Sequence, residues 1–165
     1  MEVTVDKIKE LRDKTGAGLM DCKKALSEAD GDFNSAVSAL KKRGFEVARK
    51  KSGRSLGNGL VEAYIHAGGR IGALVEVNCE SDFVARTPDF QNLAHDIAMQ
   101  VAATDPKYIS AEESTGDESA EEVCLLSQPF IKDPGKTVQD TIVEVVSRVG
   151  ENIGVTRFCR FEIGA

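Results

Sequence analysis

The chain has no tryptophan and only two tyrosines among its 165 residues, which leaves little aromatic surface on which bases could stack. It also lacks an excess of positive charge. Its 21 basic residues face 27 acidic ones, for a net charge of −6, whereas a general nucleic-acid binder needs a basic face. No run reaches the roughly 18 apolar residues of a membrane span. The start, Met1-Glu2-Val3-Thr4-Val5-Asp6-Lys7, is polar rather than the apolar stretch of a signal peptide. Cys22, Cys79, Cys124 and Cys159 are widely scattered, which fits a reducing cytosol better than a disulfide scaffold. Neither they nor His66 and His95 show Cys-x-x-Cys or His-x-x-x-His spacing, so no zinc site is expected. The expectation is a soluble, cytoplasmic protein with no metal, no cofactor and no membrane contact. Its hydrophobic fraction of 41% is enough for a core, and its length fits one domain plus a small appendage.

What is present begins with helices. Val5, Ile8 and Leu11 recur at helical spacing until Thr15-Gly16-Ala17-Gly18 stops them, glycine being able to take the left-handed backbone that closes a helix. A second amphipathic run carries Leu19, Cys22, Ala25, Leu26 and Ala29. After the turn Asp30-Gly31-Asp32, a third short helix carries Phe33, Ala36, Val37 and Leu40. Neighbouring helical residues point in different directions, so Leu19 and Met20 do not both face one core. One is expected to fill it, and the other looks at solvent or at a partner. The run 41–54 then holds seven basic residues against the single acid Glu46. It reads either as a solvated helix end and linker or as a patch meeting acidic protein or RNA. The domain boundary is placed at Ser52-Gly53, giving a three-helix module with basic linker over 1–52 and a core over 53–165.

The core opens on period-two alternation. Val61, Ala63 and Ile65 alternate, as do Ile71, Ala73, Val75 and Val77, around the turn Ala67-Gly68-Gly69-Arg70, and both sets are expected on one buried face. Thr87-Pro88 starts a helix whose apolar stripe runs through Phe90, Leu93, Ala94, Ile97, Ala98 and Val101 to a stop at Asp105-Pro106. The acidic stretch 105–122 reads as an exposed loop leading into a helix through Val123, Leu125 and Leu126. A further helix runs from Thr137 to Gly150 with Val138, Ile142, Val145, Val146 and Val149 inward, and a last strand spans Val155 to Ile163. Strands grouped early, helices between and a closing strand make an α+β fold with an antiparallel sheet rather than a βαβ parallel one.

Three motifs invite chemistry that their surroundings oppose. Cys79 with a histidine resembles a thiol nucleophile and its base, but Cys79 shares the parity of Val75 and Val77 and reads as a small core residue. Gly135-Lys136-Thr137 imitates the end of a phosphate-binding loop, yet Phe130 stands where the first glycine is required and no strand is expected before it. The chain is therefore not expected to bind nucleotide itself. Cys159 shares a face with Phe161 and Ile163, and is either a buried core thiol or part of a subunit interface.

The wording LRDKTGAGLMDCKKAL over 11–26 resembles the N-terminal signature of the elongation factor Ts family, the nucleotide-exchange factors for elongation factor Tu. VEAYIHAGGRIGALVEVNCESDFVAR over 61–86, Gln128-Pro129-Phe130, Lys136-Thr137-Val138 and the ending Arg157-Phe158-Cys159-Arg160-Phe161-Glu162 resemble its later segments, with the weakest stretch at about 110–122. The resemblance implies a ubiquitin-associated-like N-terminal module and a core dimerisation domain. It implies a guanine nucleotide exchange factor that binds elongation factor Tu, with no covalent chemistry of its own. In that family the segment Ser81-Asp82-Phe83-Val84, commonly with threonine at Ser81, is the part that inserts into the partner and displaces its Mg²⁺- and phosphate-holding elements. Phe83 is the wedge, although from composition alone it would pack beside Phe90. The turn bearing Arg12, Leu19 and Met20 would rest on the partner's nucleotide-binding domain. Longer members carry two core subdomains, so a chain with room for one is expected to form a homodimer. Two rivals stand beside this reading: a passive adaptor with a dimerising core, and a small cysteine hydrolase working through Cys79.

Overall fold

The computed structural model describes residues 3–165; Met1 and Glu2, at the head of the polar start and of the first module, lie outside them. Helix α1 (Val5–Thr15) begins where the Thr4 side chain accepts a hydrogen bond from the Lys7 amide, and ends at Gly16 with φ 67°. Helix α2 (Leu19–Glu28) follows, and α3 (Phe33–Lys51) starts where Asp32 accepts from the Ser35 amide. That contact holds the Asp32 carboxyl below the usual carboxylate range. Ile8, Leu11, Cys22, Ala25, Leu26, Ala36 and Leu40 form one buried cluster. Val5 departs from its expected core position and is exposed, while Val3, two residues earlier, packs against the cluster instead.

The third helix is not short. It continues for 19 residues, so the basic run to Lys51 is helix rather than linker, and its last turn places Arg49, Lys50 and Lys51 where the helix dipole favours cations. Gly44 sits inside it without breaking it. A Cβ there would lie 3.0 Å from Ser147 Oγ and 3.3 Å from Val143 Cγ1, so this glycine admits the end of helix α7 (Val138–Val149). The chain divides into two compact units, one of residues up to 53 with 143–150 and one of 54–142 with 151–165. Within the first, Lys51 Nζ donates to the Gly150 carbonyl, and Gly150, at φ 77°, ends α7.

The second unit is built on a three-stranded antiparallel sheet in the order β1-β2-β5, formed by β1 (Asn58–Ile65), β2 (Ile71–Cys79) and β5 (Ile153–Glu162). Between β2 and β5 come the single turn α4 (Asp82–Ala85), helix α5 (Pro88–Thr104) and the short α6 (Ala120–Val123). Strands β3 (Pro129–Phe130) and β4 (Asp133–Thr137) make a small hairpin absent from the sequence reading. Helix α5 lies against β1 and β2 and buries the expected stripe of Phe90, Leu93, Ala94, Ile97, Ala98 and Val101. Thr87 caps it, accepting from the Phe90 amide at 3.4 Å. Thr87→Ala is expected to lower stability by about 1 kcal/mol, read as a lower urea midpoint with an unchanged slope.

Gln100 is fully buried on the same helix. Its amide donates to Gln128 Oε1 and the Pro129 carbonyl and its carbonyl accepts from Ile131 N at 2.9 Å, which ties the β3–β4 hairpin to α5. The expected helix through Val123, Leu125 and Leu126 is broken instead. Helix α6 ends at Val123, Cys124 bridges to Tyr108, and Leu125–Ser127 is a 3₁₀ turn. Gly135-Lys136-Thr137 belongs to β4, and Thr137 caps α7 by accepting from Asp140 N at 3.1 Å.

The two apolar sets of the hairpin do not share a face. Val61 pairs with Glu76, Ala63 with Leu74 and Ile65 with Gly72. Directly paired residues share a face, so the β1 set does not join Ala73, Val75 and Val77. Those three are buried beneath the helix layer, whereas Val61, Ala63 and Ile65 are exposed on the opposite side. Toward α5, β1 instead presents Glu62 and Tyr64, which meet His95: Glu62 Oε1 lies 3.1 Å from its Nδ1, and the Tyr64 ring sits edge-on to its imidazole.

Candidate partner-binding site

Strand β2 ends at Cys79, and the next two residues turn the chain into α4. Ser81 caps this single turn, its hydroxyl accepting from the Val84 amide at 3.4 Å. Four residues give a helix almost no intrinsic stability, so α4 depends on its surroundings. Val84 supplies an apolar anchor: it is 3% exposed, so its side chain serves the core rather than the surface. Phe83 does the opposite. It stands 76% exposed and does not join the fully buried Phe90, which overturns the reading of it as a core residue. Asp82 is exposed beside it and pairs with Arg86 at 3.0 Å. A lone phenylalanine held out on a fixed turn has a large apolar surface to gain from a partner.

The start of the turn is fastened by residues seventy positions away. Ser81 donates its amide to Glu151 Oε2 at 3.0 Å and its hydroxyl to Glu151 Oε1 at 2.6 Å. Reciprocally, Asn152 donates its amide to Glu80 Oε1 at 2.7 Å. Arg54 pairs with Glu80, and its carbonyl accepts from Asn152 Nδ2. Sequence reasoning missed this network; the available signal was an acid placed next to a strand end at both Glu80 and Glu151.

In the first unit, Arg12 is exposed on one side of the turn Gly16–Gly18, and Leu19 and Met20 are exposed on the other. Leu19 is 51% and Met20 72% exposed, so neither fills the core as one was expected to. Cys22, Ala25 and Leu26 take that stripe, and Leu19, the first residue of α2, lies beyond its end. Arg12, Leu19 and Met20 thus belong to one unit, and the Ser81–Val84 segment to the other.

The outward face of the sheet is a third apolar surface. Cys159 pairs with Leu74 and Phe161 with Gly72, which places them beside Val61, Ala63 and Ile65. Cys159 is exposed, so it is not a core thiol, and Phe161 is 71% exposed. Ile65, Gly72, Leu74, Phe161 and Ile163 line a shallow groove of about 470 Å³. The charged pair on this face sits at its end, where Arg157 donates to Glu76 at 2.7 Å and holds that carboxyl below its usual range.

The cysteine–histidine pair is taken apart by the hairpin. Cys79 pairs with Asn58 at one end of β1, and His66 follows the other end. Burial, reinforced by the Glu151 carboxylate, pushes the Cys79 thiol up, away from the thiolate a nucleophile needs. That thiol donates instead to the Ser81 carbonyl at 3.1 Å.

A family model described as Elongation factor TS matches residues 28–121 and 117–165. The chain belongs to the elongation factor Ts family. Elongation factor Ts of Heliobacterium modesticaldum is 48% identical over 194 residues, covering 98% of this chain and 90% of that one. The protein of the same name from Desulforamulus reducens is 45% identical, covering 99% and 90%, and that from Moorella thermoacetica 46% identical, covering 95% and 93%. The α+β fold and the recognition drawn from its motifs therefore stand, and with them a place among the elongation factors of protein synthesis. The Heliobacterium alignment spans 194 positions although this chain has 165 residues, and the two family matches meet at 117–121. That junction falls in the acidic loop. No helix among the described residues is long and apolar enough to cross a membrane.

Proposed function

We propose that this chain is a guanine nucleotide exchange factor for elongation factor Tu, acting in the cytoplasm, and that it works by binding alone, with no covalent step. The observation that carries the reading is Phe83, held 76% exposed on a capped turn. The single turn α4 presents it, Asp82 flanks it, Ser81 caps it and Val84 anchors it. The wedge enters the GTPase near the elements that hold Mg²⁺ and phosphate. A nucleotide bound at nanomolar affinity is held by about 12 kcal/mol, much of it from backbone donors, a lysine and Mg²⁺ around the phosphates. Burying a phenylalanine contributes about 1.5–3 kcal/mol, enough to favour a displaced partner helix and leave phosphate charge less compensated. The coupling is reciprocal, so tight nucleotide equally expels the factor.

The three-helix, ubiquitin-associated-like module of 1–52 provides a second grip through Arg12, Leu19 and Met20, whose flexible thioether suits an adaptable contact. The core domain of 53–165 pairs with a second copy through the outward sheet face. Two such faces related by a two-fold axis bring apolar residues together at the usual ~10 Å sheet spacing and leave the Glu76–Arg157 pair toward the edge. Cys159 lies within that face, so its alkylation by iodoacetamide is expected to slow as protein concentration is raised through the dimerisation range. A rate independent of concentration would contradict the interface. The function itself is tested by the release of fluorescent GDP from purified elongation factor Tu. Release that accelerates and saturates with added protein supports exchange, whereas binding without acceleration leaves the passive adaptor.

A further inference from the structure

We infer that Glu151 is a positioning residue for the Phe83 wedge, an assignment that rests on the exchange reading above. Every polar group of Ser81 is committed. Its amide and hydroxyl donate to the two oxygens of Glu151, and its carbonyl accepts from the Cys79 thiol and the Ala85 amide. A hydroxyl that donates to a carboxylate becomes a better acceptor, and this hydroxyl is the cap received by Val84 N. Glu151 thus fixes where α4 begins and strengthens the bond that closes its only turn. The reciprocal bond from Asn152 N to Glu80 ties the two loops together from the other side. Phe83, 76% exposed, has little packing of its own to set its direction. That direction follows from the α4 backbone, which hangs between Glu151 and the buried Val84. Pre-organisation of a binding group raises affinity by sparing the ordering cost at contact, and Glu151 supplies it from outside the contacting segment.

The test is Glu151→Gln, a nearly isosteric change that keeps one acceptor and replaces the other with a donor facing Ser81. Affinity for elongation factor Tu, and with it the rate of GDP release at subsaturating protein, is expected to fall about tenfold, the size of a lost hydrogen bond to a charged group. Amide exchange at Ser81 and Val84 is expected to accelerate while the β2 and β5 amides keep their protection. Ser81→Ala should have a similar effect, and the double variant should be no worse than the more severe single one, whereas Ser81→Thr should retain the rate. In a Phe83→Ala background, Glu151→Gln should no longer change affinity for the GTPase. Wild-type release, unchanged exchange at Ser81 and Val84, or additive effects with Ser81→Ala would each overturn the assignment. If Phe83→Ala itself leaves release unaltered, the exchange reading fails; if Phe83→Ala abolishes release and Glu151→Gln does not slow it, only the role of Glu151 fails.

Discussion

Replacing Phe83 by alanine is expected to lower the acceleration of GDP release by about ten- to a hundredfold or more, while leaving the thermal midpoint of the protein nearly unchanged. The ring stands free of the core, so its removal opens no cavity and exposes no buried group, and the destabilisation typical of core truncations does not apply. What is lost is the 1.5–3 kcal/mol or so that a buried phenylalanine contributes at a contact, which corresponds to that range of rates. Stopped-flow release measured alongside thermal unfolding separates the two effects. A variant that loses stability in step with activity would return Phe83 to the core. One that keeps full exchange would remove the wedge.

Phe161→Asp is expected to convert the proposed sheet-face dimer into a monomer. In a two-fold arrangement each substitution acts twice, so about 3–6 kcal/mol of apolar burial is removed. The dimer would be weakened between a hundredfold and ten-thousandfold, before the cost of placing two carboxylates at an apolar contact is added. Because Phe161 is 71% exposed in the single chain, the fold itself should be untouched. Sedimentation over a range of concentrations reads the outcome. A wild-type chain that sediments as a monomer throughout would contradict pairing through this face, and a variant that stays dimeric would place the interface elsewhere.

Helices α1, α2 and α5 were legible where their ends are written in local chemistry, whereas α3 runs on past its expected end and the helix expected through Val123, Leu125 and Leu126 is broken. Thr4, Asp32 and Thr87 cap, and Gly16 and Gly150 take the left-handed backbone that stops a helix. The sheet was legible as strands but not as faces. Alternation alone does not say which side is inward; the loop does. The four residues 67–70 lie between His66 and Ile71, an even number, so odd positions of β1 pair with even positions of β2 and the two odd-numbered apolar sets fall on opposite sides. The run 41–54 reads from its charge either as a solvated helix end and linker or as a patch for acidic protein or RNA, whereas it is helix as far as Lys51, and the residues that approach Gly44 within it, Val143 and Ser147, lie a hundred positions away in sequence. The role proposed for the segment around Phe83 rests on resemblance. Its exposure was not legible, since an aromatic just after a buried strand reads as core. The Ser81–Glu151 bond, spanning 70 residues, leaves no periodic trace at all.

Catalysis of exchange shows itself as turnover. Elongation factor Tu loaded with fluorescent GDP is mixed with excess unlabelled nucleotide and a substoichiometric amount of this protein, and the fluorescence is followed to completion. All the labelled GDP is expected to leave at an accelerated rate proportional to the protein added, because bound nucleotide expels the factor and frees it to act again. Release that stays at its intrinsic rate, or that stops after one equivalent of the added protein, would contradict catalysis of exchange.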